Sequence, residues 1–424
     1  MAMMARTACA VLSLILAMPG IIAYTGMASE RSNPPFAKPA KDGPPSSSSD
    51  HDVADRQKAI TVPFVLDHNR VFVELVFVKP DGTIRQARAF VDMGDQNLTF
   101  SELLAEELQW HQDKELRIRI AGTSLVFDED KLTAQAVPDG SIISAAGTVE
   151  ANFPASLLMN YDVVFDYKAR TMTLAAPGTI QHEGVRVPCR VNPKTGLVSV
   201  EIAVGKQSYA VTIDNGSAYT WVAKRVASGW INAHPDWSRG VGAIGHANMN
   251  GREGEASALL LRVPLIAAGT LQLQQVGVAG YTEMFDHVEM FDWYSKKAPE
   301  PVVGFIGGNV LKSFRIEIDY AHQATYWSQQ SPIETDDMDQ VPLVLQPAQD
   351  GSYTVIGIFT KHGRKQMHGV LVRDKLIKVG DLATKSATFG AVIDALHGPP
   401  GATRTLVLER GGKQLTVTAR IVGF

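Results

Sequence analysis

The sequence predicts a mainly β protein: two related β-rich lobes followed by a small α+β domain. Three observations predict it. First, one pattern occurs twice, in which two strand-like runs lead into an apolar residue and Asp-x-Gly, at Asp92-Met93-Gly94 and again at Asp214-Asn215-Gly216. Second, each copy later closes on an alternating strand, a turn at Asp-Tyr and another strand, at 162–174 and 314–327. Third, beyond residue 340 the order changes to short strand-like runs around one helical segment.

Before the first lobe, Met1 to Arg6 followed by an apolar run from Ala8 to Tyr24 and the small residues Gly26-Met27-Ala28 has the three-part layout of a secretory signal over residues 1–28. The expected location is therefore exported, periplasmic or extracellular, with a membrane tether by an uncleaved N-terminus as the alternative. Residues 29–57 hold Pro34-Pro35, Pro39, Pro44-Pro45 and Ser46 to Ser49, a composition that cannot collapse into a core and reads as a spacer.

In the first lobe, taken as 58–178, Val71 to Val78 and Ile84 to Val91 flank the turn Lys79-Pro80-Asp81-Gly82 and predict a hairpin running into Asp92. Ser101 is placed to cap a helix through Glu102, Leu104 and Leu108. In the second lobe, taken as 179–328, Leu197 to Val204 and Ser208 to Ile213 form the matching hairpin into Asp214. From Asp214 to Asp319 is 105 residues, against 74 from Asp92 to Asp166, so the second lobe carries longer loops. Two segments supply them. Residues 239–251 are Gly-rich, and 281–294 repeat Glu-Met-Phe-Asp; Phe285, Val288 and Phe291 there fit a short lid helix, with Phe285, Phe291 and Trp293 as candidate substrate contacts.

Residues 329–340 read as a linker. The C-terminal domain, 341–424, is expected to hold strands at 353–359, 369–371, 374–379, 403–409 and 414–421 and a helix at 389–396.

The paired Asp-x-Gly segments resemble the retropepsin-like and pepsin-like aspartic proteases, whose mark is Asp-Thr/Ser-Gly-Ala/Ser after an apolar strand and, later, two apolar residues and Gly. The resemblance covers about residues 60–328 and implies that Asp92 and Asp214 meet at the lobe interface as a catalytic dyad. It further implies loop support from Gly94, Asn215, Gly216, Ser217 and Gly307. Two carboxylates in contact cannot both ionise readily, so they share one proton and divide the roles of base and acid on a polypeptide substrate. Neither a metal nor another cofactor is called for. The chain departs from the family's pattern at three places: Met93 and Asn215 replace the hydroxyl residue after each Asp, Asp95 replaces a small residue, and Asn152-Phe153-Pro154 stands where the second lobe keeps Phe305-Ile306-Gly307. Those departures keep open a non-catalytic alternative, a peptide-binding scaffold built from the same lobes. Residues 341–424 resemble a bacterial PDZ domain, with Val372 to Val379 at the place of that family's Gly-Asp strand; this implies binding of peptide ends, with docking onto the lobes as the alternative.

Other chemistries lack their residues. Forty Lys and Arg against 44 Asp and Glu give a net charge of −4, with no basic run interleaved with aromatics, which argues against nucleic acid. Cys9 and Cys189 are too few for a disulfide framework or a four-cysteine zinc site. Gly240-Val241-Gly242-Ala243-Ile244-Gly245 matches a dinucleotide fingerprint in letters but lies between no strand and helix. Gly-x-Ser-x-Gly and His-Glu-x-x-His are absent.

Overall fold

A computed structural model describes residues 59–110, 116–125, 134–137, 149–285, 288–348 and 351–424. The secretory-signal and spacer segments lie outside these residues. Among the described residues no helix is long and apolar enough to cross a membrane.

Period-two alternation produces the first hairpin, Arg70–Val78 against Ile84–Asp92, with Val71, Val73, Leu75 and Phe77 buried on one side. Its Pro80-Asp81-Gly82 corner is closed by Asp81 accepting from the backbone and hydroxyl of Thr83. The helix Glu102–Leu108 is capped as expected, Ser101 Oγ accepting from Leu104 N. The second lobe repeats the plan with Val198–Val204 against Gln207–Ile213.

The lobes join through one sheet. Asp162–Asp166 pairs with Thr171–Ala175 in the first lobe, Phe314–Asp319 pairs with Ala324–Gln329 in the second, and the two hairpins meet antiparallel, Val163 opposite Ile318 and Phe165 opposite Ile316. Ile60–Pro63 and Val185–Val191 flank this sheet at equivalent places, so it has a pseudo-twofold relation between the halves. Val163, Phe165, Ile316 and Ile318 belong to one hydrophobic core with residues of both lobes.

The C-terminal residues form a sheet in the order Leu343–Pro347, Tyr353–Ile358, Lys375–Val379, Thr403–Arg410 and Lys413–Arg420, with the helix Phe389–Leu396 at its side. Two expectations are corrected here. Gly369 to Leu371 is not a strand, because Asp374 Oδ2 accepts from Leu371 N and Arg373 adopts φ 79°, turning the chain. The segment read as a linker is packed rather than free: Met338 is fully buried, and the Asp337 carboxylate pairs with Arg262 at 2.6 Å. The C-terminal domain is also fused to the second lobe. Phe359 and Val344 share a core with Ile244, Leu260 and Trp221, and Val241 pairs with Thr360 across the boundary.

Candidate active site

Each aspartate is delivered by the end of a strand. Asp92 ends Ile84–Asp92 and Asp214 follows Gln207–Ile213. Beside each runs a parallel strand, Ala151–Pro154 with Phe153 opposite Val91, and Gly304–Ile306 with Ile306 opposite Ile213. Matching hydrogen bonds tie each loop to the helix that follows its parallel strand: Ala155 N donates to Asp95 O and Gly308 N to Ser217 O, both at 2.8 Å. The two loops are therefore the same device built twice, with Met93 equivalent to Asn215 and Asp95 to Ser217.

The loops meet face to face. A Cβ on Gly94 would collide with the Asp214 carboxylate, and a Cβ on Gly216 would collide with that of Asp92, so each carboxylate lies against the glycine of the opposite loop. Both carboxyls lie beside Gly216, near enough for each to act on the other's ionisation, and each residue is 2% exposed. Gly94 N donates to Asp92 Oδ1 at 3.0 Å, while Asp214 Oδ1 accepts from Gly216 N at 2.9 Å and Ser217 N at 3.2 Å. Ser217 contributes its amide; its hydroxyl goes to Tyr219 O.

Asn215 supplies a brace between the loops. Its Oδ1 accepts from Met93 N at 3.0 Å, so the interlock that hydroxyls would make is kept by one amide oxygen and one backbone N–H. Met93 needs no polar side chain for this and packs into the core. Gly307 is required because a Cβ there would collide with the Tyr219–Thr220 backbone. The first-lobe counterpart, Pro154, sits opposite Asp92 in the parallel pair.

Burial dominates the ionisation. It pushes Asp92 well above the ordinary carboxylate range, aided by the charges of Asp214 and Asp95 and opposed by the Gly94 amide and Arg70. Asp214 is pushed up to about 6, chiefly by burial, with the Gly216 and Ser217 amides and Arg70 pulling the other way. Asp95 is also raised, to about 6, by burial; its side chain accepts from Asn97 N and feels the Lys297 ammonium. The pair can thus hold a proton into the neutral range, the condition for one acid and one base at a single centre.

The proposed substrate contacts fare differently. Phe291 is 1% exposed and packs against Trp221 and Phe305, so it faces the core and not a substrate. The helix there is short, Met290–Tyr294, and starts only after Val288–Glu289, which pairs as a strand with Met284–Phe285. The Phe285 side chain lies outside the described residues. Trp293 lies under the Lys297 ammonium at 4.1 Å.

Two residues that sequence reasoning missed touch the loops directly. Tyr294 Oη donates to Gly94 O at 2.8 Å, and the buried Arg70 guanidinium donates through Nε to Gly216 O at 2.6 Å. A signal for Arg70 existed in Asp67-His68-Asn69-Arg70, a turn sequence ending in a cation directly before a buried strand. Among the described residues no group of three or more His, Cys, Asp and Glu side chains is disposed to hold a metal ion.

No protein-family model matches the chain, and no curated protein matches it. Among solved structures, the chain is similar to Basic 7S globulin from soybean, with a TM-score of 0.37 and 9% identity over 65% of this chain and 96% of that one. It is likewise similar to an aspartic proteinase from Irpex lacteus, with a TM-score of 0.37 and 12% identity over 66% of this chain and 100% of that one.

Proposed function

We propose that the protein is an exported aspartic-type endopeptidase that hydrolyses peptide bonds with Asp92 and Asp214. The observation that supports this most is the mutual packing of the two carboxylates, each against the other loop's glycine and each held by amide donors from its own loop. An arrangement made only to bind extended peptides has no use for two buried carboxyls beside each other, since each opposes the other's ionisation.

In this reading the ionised carboxylate removes a proton from water as the water oxygen bonds to the peptide carbonyl carbon. The protonated carboxyl gives its proton to the carbonyl oxygen, forming a tetrahedral diol. The carboxyl that took the water proton then protonates the nitrogen as the carbon–nitrogen bond breaks, and the second carboxylate recovers a proton from the collapsing diol. No covalent intermediate forms.

The C-terminal domain is read as a brace. Its strand Leu343–Pro347 is one edge of the sheet, the kind of place to which a PDZ-type ligand adds a strand. That edge already faces the second lobe: Leu345 N donates to Asn248 Oδ1 at 2.7 Å, and Gly251 abuts Pro347 and the Leu345 carbonyl.

The test is cleavage of a denatured protein mixture by residues 29–424 from acid to neutral pH, beside Asp92→Asn and Asp214→Asn. Each substitution is expected to lower the rate by about a hundredfold or more. A parent that cuts nothing at any pH, or variants that cut as the parent does, would refute the reading.

A further inference from the structure

We propose that Arg70 is a positioning residue that assigns the roles within the dyad, holding Asp214 as the ionised base and leaving the shared proton on Asp92. The proposal rests on the endopeptidase reading above and deepens it.

Its origin is a two-residue turn. His68 and Asn69 join Val65–Asp67 to Arg70–Val78 with Asp67 opposite Arg70, and both have positive φ, 50° and 58°, as a tight hairpin demands. The turn belongs to the first lobe but is bound by the second. Asn69 Nδ2 donates to Ala218 O at 3.1 Å, Lys312 Nζ donates to Asn69 Oδ1 at 2.9 Å, and the Asn69 carbonyl occupies the space that a side chain on Gly308 would need. The backbone that launches Arg70 is thus fixed on the loop it serves.

The guanidinium is 4% exposed and its hydrogen bonds are all made across the lobe boundary: Nε to Gly216 O, Nη2 to Met249 O at 3.0 Å and to Asn250 Oδ1 at 2.8 Å. Gly216 is the residue whose N–H donates to Asp214 and whose lack of a side chain leaves room for the Asp92 carboxylate. Fixing its carbonyl therefore fixes a wall common to both carboxyls.

The pseudo-twofold relation exposes the asymmetry. On the first-lobe loop the equivalent carbonyl, Gly94 O, accepts from the neutral Tyr294 hydroxyl; on the second-lobe loop Gly216 O accepts from a cation. Asp214 also has two amide donors where Asp92 has one. Every difference favours the anion on Asp214. The other charged and titratable groups acting here are Asp67, His68, Glu255 and Tyr281 around Arg70, Tyr167 and Tyr294 around the dyad, and Lys297 near Asp95.

Two variants of the full chain separate charge from hydrogen bonding. Arg70→Lys keeps the charge and loses the fork, whereas Arg70→Gln keeps a donor and loses the charge. The readouts are the pH dependence of cleavage and carboxyl carbon NMR titration of aspartate-labelled protein, assigned by difference from Asp92→Asn and Asp214→Asn. The parent is expected to titrate Asp214 before Asp92. Arg70→Gln is expected to move the acidic limb of activity to higher pH and lower kcat about tenfold with little change in KM. Arg70→Lys should return the limb to its place with part of kcat.

Unchanged titration of Asp214 in Arg70→Gln overturns the proposal. Should that variant fail to fold, titration of Asp92 before Asp214 in the parent overturns it as well. Because the titration needs no substrate, a parent that never cleaves while Asp214 still responds to Arg70 removes the endopeptidase reading and supports the electrostatic role of Arg70.

Discussion

Met93 shows how two facing loops can be joined without a side-chain hydroxyl at this position. The interlock between the loops needs one acceptor and one donor, and Asn215 Oδ1 with Met93 N provides both, so the Met93 side chain is released to fill the core. The dyad itself works against stability. Because burial raises the Asp92 pKa above that of a free carboxyl, the folded state keeps a proton that the unfolded chain has lost. The stability contribution of this group is fully present below the unfolded pKa and declines as pH rises toward the folded one. Asp92→Asn is therefore expected to stabilise the protein at neutral pH and to have little effect at pH values below the range in which a free carboxyl titrates. Urea unfolding of parent and variant at several pH values checks this; a variant equally stable at every pH would refute it. Gly307→Ala should cost about 2 kcal/mol or more, since its new methyl meets the Tyr219 backbone, which cannot move aside; the same unfolding measurement reads it.

Among the elements, the segment 245–252 does most to connect the parts. Glu255 organises it, its carboxylate accepting from Asn248 Nδ2 at 2.7 Å and from Asn250 N at 2.9 Å. Asn248 then reaches three ways: its Oδ1 accepts from Leu345 N in the C-terminal sheet, its carbonyl lies 3.0 Å from His68 Nε2 in the first lobe, and its neighbours Met249 and Asn250 hold Arg70. The helix Phe389–Leu396 completes the junction, Phe389 lying 4.6 Å from the His68 ring and Thr388 donating to Asp67. Asn248→Ala leaves Leu345 N and Glu255 without those partners and is expected to destabilise by about 2 kcal/mol. It should also release the outer edge of Leu343–Pro347. Amide signals of residues 343–346 are expected to stay unshifted and to gain no protection when extended peptides are added to the parent, and peptide-induced shifts at that edge would refute the brace assignment.

At the scale of the whole molecule, both lobes and the C-terminal domain share buried surface. The interlobe sheet places Val163 and Ile318 in register, and Phe359 is buried among second-lobe residues. Denaturant unfolding is accordingly expected to be a single transition by far-UV and tryptophan signals, with residues 29–328 alone markedly less stable than the full chain. A separate early transition that leaves the tryptophan signal unchanged would count against this coupling.

The sequence by itself determined the hairpins, the capped helix, the repeated Asp-x-Gly turns and the helix at 389–396, because alternation, turn residues and caps act over a few neighbouring residues. It also singled out Asp92 and Asp214, through the repetition of a short pattern. Tertiary structure alone decided which groups surround them. Arg70 reaches Gly216 across 146 residues and Tyr294 reaches Gly94 across 200, separations that leave no periodic trace. Phe291 belongs to the core for the same reason: helical spacing marks an apolar face, and only the packing of Trp221 and Phe305 against it decides whether that face meets protein or substrate.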